Sequence, residues 1–190
     1  VDIPKNRDSN YDCSTAMLQF SLGYFKDYAD ACAPSVVTIR DLYMEETEGS
    51  DISVTDPEPI VIPGTNLLKN PDFEADNGVA AEWEFGVAEN QGIVAGISYD
   101  NGSAIVKIDD LGTAADMYVD WQIALRQAMD FKKGHRYQMQ YTISSTIDRQ
   151  IKVDLISDDA PIEKGRYDYQ MQTIHATPQT FDATVTCTAD

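Results

Sequence analysis

Few residues in this chain stand at spacings that support bond-making chemistry. His135 and His175 are the only two histidines, and neither sits in a metal-ligand spacing. Three cysteines, Cys13, Cys32 and Cys187, leave at least one thiol unpaired, and their separations match no zinc or CxxC pattern. Free thiols are the expected state, with a Cys13–Cys32 bridge as the alternative; Cys187 falls in an alternating run where it reads as a small buried hydrophobe. No glycine-rich phosphate loop occurs. With 32 acidic residues, some carboxylate pair always resembles a glycosidase dyad, so such a pair carries no information. Asn101-Gly102-Ser103 matches a glycosylation acceptor in form, but as a turn signal it needs no such role. The expectation is therefore a protein that is not an enzyme.

The elements available to position a binding surface are short strands. Period-two alternation marks 93–97, 104–108, 118–125, 136–144, 150–156, 167–174 and 179–186, with 16–24 and 35–44 nearer the N-terminus. Turn signals separate them, among them Asp100-Asn101-Gly102 and Lys132-Lys133-Gly134. Along 136–144, Tyr137, Met139, Tyr141 and Ile143 share one side and should enter a core. Ile151, Val153 and Leu155 oppose Gln150, Lys152 and Asp154 in the same way, and Phe181, Ala183 and Val185 oppose Thr180, Asp182 and Thr184. These polar faces read first as solvated surface, and second as the floor of a groove for a hydroxylated ligand. The fold class expected is all-β: a jelly-roll β-sandwich of two antiparallel sheets with a concave binding face.

Composition bounds the partners. A chain of 190 residues should bury roughly 68–70% of its unfolded surface without a disulfide or metal. Its formal net charge of −18 argues against nucleic acid and anionic membrane as partners, while a neutral polysaccharide would be indifferent to it. No apolar run approaches the about 18 residues a membrane helix needs, so no membrane insertion is expected. No signal peptide is visible, and the chain reads as an excised or processed segment.

Residues 51–65, with Pro57, Pro59 and Pro63, read as an extended linker. Residues 66–190 form the expected sandwich. The two strands within residues 1–50 cannot make a domain by themselves. They are expected to complete that same sandwich, and the alternative is the tail of an upstream sister module. A linker of this length spans about 45 Å when extended, so reach is no obstacle.

A series of motifs points further. Asn66-Leu67-Leu68 through Asp72-Phe73-Glu74 reads as an opening strand, followed by Trp83 and by Trp121 with Gln127 six residues on. Lys133-Gly134 with Tyr137, Arg149-Gln150-Ile151-Lys152-Val153 and Gln179-Thr180-Phe181 continue it. In order and spacing the series resembles carbohydrate-binding modules of the family 4/9/22 type, which bind xylan and β-glucan, over about 125 residues. Patterns that close such modules occur here before the linker, as Leu18-Gln19-Phe20-Ser21-Leu22-Gly23 and Val37-Thr38-Ile39-Arg40-Asp41-Leu42.

The resemblance implies a cleft in which aromatic rings pack on sugar faces while polar side chains replace water at the hydroxyls. It implies Trp121 as the first platform, with Trp83 at a groove rim or in the core. Tyr167, Gln170 and Gln172 are further candidates, although they cannot all share one face of a regular strand. Tyr118 and Arg149 complete the carbohydrate-binding set, Arg149 having a surface salt bridge as its ordinary alternative. The family also implies a structural calcium ion (Ca2+), with Glu74 and Asp41 as ligands. Asp72, Asp76 and Asn77 offer further hard oxygens, and Arg40 stands where the family has Asp. The implied function is a non-catalytic module that holds xylan, or second a β-glucan, for a linked glycoside hydrolase such as a xylanase. The implied location is extracellular or at a bacterial cell surface. The alternative is a spacer or protein-interaction sandwich that binds no glycan.

Overall fold

Tyr137, Met139, Tyr141 and Ile143 all point into one core, as their period-two spacing requires. They belong to a computed structural model that describes residues 16–23, 33–48, 66–88, 92–112, 120–129, 136–157 and 166–186. Residues 51–65, expected to be a linker, lie outside the described residues, as do Tyr118, His135 and all three cysteines.

The chain is an all-β sandwich. Its strands are β1 (Ala16–Ser21), β2 (Ser35–Glu48), β3 (Ala75–Asp76), β4 (Val79–Ala80), β5 (Glu84–Val87), β6 (Val94–Asp100) and β7 (Ser103–Asp110). They continue with β8 (Ile123–Ala128), β9 (Arg136–Ser145), β10 (Arg149–Ser157), β11 (Arg166–Ile174) and β12 (Gln179–Thr186). Sheet I has the order β11-β10-β1-β8-β5 and sheet II the order β12-β9-β2-β7-β6; β3 and β4 form a separate hairpin. Every pairing is antiparallel. Among the described residues no helix is long and apolar enough to cross a membrane.

The two strands that precede the linker are central. β1 lies between β10 and β8, and β2 between β9 and β7. Their inward residues Leu18, Phe20, Leu22, Val37, Ile39 and Met44 are fully or almost fully buried. The layers interlock where Phe20 of sheet I meets Tyr141 of sheet II edge to face, with ring centroids 5.3 Å apart. Tyr141 in turn packs on Phe181 at 5.7 Å. Its hydroxyl is buried with no hydrogen-bond partner, and burial raises its pKa above the ordinary tyrosine range. Tyr141→Phe is therefore expected to stabilise the protein by about 1 kcal/mol, because it deletes a desolvated, unpaired hydroxyl. A lower thermal midpoint in that variant would show that the hydroxyl is satisfied after all.

Three elements differ from the sequence-based expectation. The segment from Asn66 to Glu74 is a folded turn rather than an opening strand. Side-chain amides take over backbone groups that a strand would have paired. Asn66 Oδ1 accepts from the N–H of Met44 (3.0 Å) and of Leu68 (3.1 Å), and its Nδ2 donates to the Leu42 carbonyl (2.9 Å). Asn70 Oδ1 accepts from the Glu74 N–H at 2.7 Å, with Asn70 and Phe73 both at positive φ. The strand expected over 118–125 begins later. Asp120–Gln122 is a single 3-10 turn, and β8 starts at Ile123. There the Asp120 carbonyl accepts from Gly23 N–H at 2.7 Å and the Gln122 carbonyl from Ala88 N–H at 2.9 Å. Finally, β3 to β5 carried a legible signal that the alternation missed: Asn77-Gly78 has φ of 51 and 81°, a two-residue hairpin turn.

Candidate functional site

Sheet I presents a polar face away from the core. Strand parity puts Phe20 and Leu125 inward, so their neighbours Gln19, Ser21, Ala124 and Arg126 face outward. Register aligns these across the sheet. Gly86, Ala124, Ser21, Lys152 and Met171 form one row, and Glu84, Arg126, Gln19 and Asp154 form the next. Of the small residues in the first row, Ala124 and Ser21 are fully buried, and the Arg126 guanidinium lies over Gly86.

This face is not an ordinary solvated surface. Gln19, Ser21, Lys152 and Gln122 are buried, although none belongs to the apolar core. Buried polar atoms must find partners. Gln19 Nε2 donates to Ser21 Oγ at 2.8 Å, and the Lys152 ammonium hydrogen-bonds the Asp120 carboxylate. The expectation that Lys152 is solvated is corrected: its stem packs within the face, and its charge is neutralised by Asp120 across the strands. The outward face of sheet II is different in kind. It pairs with itself through Thr142 and Thr180 (2.9 Å) and through Gln140 and Asp182 (2.8 Å), with Thr180, Asp182 and Thr184 exposed.

Trp121 belongs to the 3-10 turn that leads into β8 of sheet I. It lies between Asp120, which holds Lys152, and Gln122, and its side chain is 44% exposed. Met171, the register partner of Lys152, is 51% exposed on the neighbouring strand. An exposed thioether thus ends the row of a buried, hydrogen-bonding strip, and an exposed indole follows the Asp120 that pairs with it.

The other candidates fall elsewhere. Trp83 is in the core at 7% exposure, 4.9 Å from the Phe73 ring, and its Nε1 donates to the Asn70 carbonyl at 2.9 Å. Arg149, expected at a binding surface or in a surface salt bridge, is fully buried. Its guanidinium donates to Ser35 Oγ (2.9 Å) and to the carbonyls of Gly23 (2.9 Å) and Leu22, so it ties the start of β2 to the end of β1. Gln170 and Gln172 are the register partners of Val153 and Ile151, which face the core, so they do not share parity with the Met171 row. Gln172 is half-buried, while the side chains of Tyr167 and Gln170 lie outside the described residues. Gln127, which the resemblance placed after Trp121, is structural. It pairs with both backbone groups of Lys69, accepting at 2.9 Å and donating at 2.7 Å.

Glu74 and Asp41 are both exposed. Asp41 sits at positive φ in an irregularity of β2 and lies 3.6 Å from the Arg40 guanidinium. Both backbone groups of Glu74 are held by the Asn70 side chain. Among the described residues no three or more His, Cys, Asp or Glu side chains gather into one group.

Sequence reasoning missed Gln19, Ser21, Lys152, Asp120 and Arg126 as members of one surface. Parity within each strand was visible, but which strands lie side by side was not. Comparison with family models, with curated proteins and with solved structures finds no match to this chain.

Proposed function

We propose that this protein is a non-catalytic carbohydrate-binding module that holds a soluble β-linked polysaccharide on the outward face of sheet I. Xylan is the first ligand and β-glucan the second. The observation that supports this reading is the exposed Trp121 in the turn whose Asp120 holds Lys152 of the polar strip. A pyranose ring offers a C–H face to an indole and equatorial hydroxyls to side-chain amides, hydroxyls and ammonium groups. Arg126, whose side chain is 25% exposed on the same face, offers a polar donor, while Gln19, Ser21 and Lys152 are buried among their own partners. Such a module, linked to a glycoside hydrolase at a cell surface or outside the cell, would raise the local concentration of its substrate.

Calorimetric titration with xylohexaose and with cellohexaose tests the reading directly. Heat of binding with at least one is expected, and silence with both, and with β-glucan, overturns it. Trp121→Ala should weaken binding by about thirtyfold, the effect of losing roughly 2 kcal/mol at an aromatic anchor, with an unchanged circular dichroism spectrum. Loss of folding in that variant would identify Trp121 as a packing residue. A second reading, a spacer or interaction domain, is favoured by the burial of Trp83 and Arg149. It predicts no heat with any of these glycans and no change of stability in Trp121→Ala.

A further inference from the structure

Two cations described on the sheet I face, Lys152 and Arg126, differ in their surroundings. Lys152 is buried and hydrogen-bonded to Asp120, so its charge is already answered. Arg126 is not. Its Nε is buried with no hydrogen-bond partner, and the carboxylate of Glu84 is 3.9 Å away, beyond hydrogen-bond reach. The Glu84 side chain is 69% exposed against 25% for Arg126, so this is a loose surface pair of the kind that contributes little.

The position of the guanidinium is set by the neighbouring strand. Gly86 lies on β5 where a Cβ would stand 2.9 Å from Arg126 Nη2, so the absence of a side chain at 86 lets the fork lie across the strand. Register places Gln19 beside Arg126 on the other side, in the polar strip. A half-enclosed guanidinium held only by a loose surface pair is planar, permanently charged and matched to two coplanar oxygens. The acceptor that fits is a carboxylate, bound through parallel N–H···O bonds.

We infer that Arg126 is a specificity-determining residue that reads a carboxylate on the polysaccharide, so that the preferred ligand is a β-linked chain bearing uronic acid side groups. This rests on the glycan-binding reading and deepens it at the same face. The formal net charge of −18 disfavours a polyanion. The ligand is accordingly a sparsely charged chain, with one carboxylate engaging one guanidinium. Glu84 competes for the same cation and yields to the ligand.

The test titrates the whole chain with three probes of equal length: a neutral xylo-oligosaccharide, the same chain carrying one glucuronic acid, and its carboxyl-reduced form. The acidic probe is expected to bind at least about tenfold more tightly than the other two, a difference of 1.4 kcal/mol. In Arg126→Gln that ratio should fall to near one. Arg126→Lys, which keeps the charge and loses the fork, should give an intermediate ratio. Glu84→Gln should leave the ratio at or above its original value. Equal binding of acidic and neutral probes overturns the inference while leaving the glycan reading in place. Absence of binding to all three overturns both. A ratio that survives Arg126→Gln in a folded variant assigns the carboxylate to another residue and also overturns it.

Discussion

A chain that begins at residue 51 is expected to stay unfolded, although it keeps ten of the twelve described strands. The missing strands are β1 and β2, and each is the middle strand of its sheet. Without them β10 and β8 have no partner between them, nor have β9 and β7, and long rows of backbone N–H and C=O groups lose their ladders. The buried side chains of Leu18, Phe20, Leu22, Val37, Ile39 and Met44 leave with them. At about 1.5–3 kcal/mol for each, that burial amounts to roughly 10–20 kcal/mol, as much as the whole stability of an ordinary domain at about 5–15 kcal/mol. The near-ultraviolet circular dichroism and the amide NMR dispersion of residues 51–190 should be those of an unfolded chain. Adding residues 1–50 in trans should restore them in part. A cooperative unfolding transition in residues 51–190 alone would refute this account of the sandwich.

Arg149→Met should cost about 3–5 kcal/mol, because it removes the donor from several buried acceptors at once. Ser35 Oγ and the Leu22 and Gly23 carbonyls all receive the guanidinium, and these groups lie where the two sheets approach one another. Methionine fills much of the volume but donates nothing, so the loss is read mainly as unpaired acceptors. Arg149→Lys retains the charge without the planar fork and should fall between the two. Urea midpoints measure the effect. A shift of less than about 1 kcal/mol would mean that water or neighbouring groups satisfy those acceptors. The same variant separates structure from recognition: a residue that touches ligand would lower affinity at an unchanged midpoint, and Arg149 is expected to do the reverse.

Much of the strand pattern was legible in the residues. The alternations at 136–144, 150–156, 167–174 and 179–186 correspond to β9 through β12 within one or two residues at each end. Asn101-Gly102 turns β6 into β7 with φ of 47 and 73°. The candidate site was legible only in part. Trp121, between Asp120 and Gln122, was singled out and is exposed, whereas Trp83, between Glu82 and Glu84, is in the core. Nothing in Glu-Trp-Glu-Phe distinguishes the two outcomes. The difference arises from Phe73 and the Asn70 carbonyl, which the turn at 66–74 brings against Trp83.

By itself the sequence determined what has period two: which stretches extend, which residues of each stretch share a face, and where the chain reverses. Those properties follow from backbone geometry within a few residues. Tertiary structure alone decided what lies beside what. Parity is the same for any partner strand, so only the assembled sheets reveal that β1 and β2 are central, and that Lys152 meets Asp120. The same holds for Arg149, which spans two sheets, and for Arg126, left with an unpaired Nε above Gly86. Charged side chains that look alike in the sequence were separated into neutralised, structural and loosely paired ones by the groups that non-local pairing placed within a few ångströms of each.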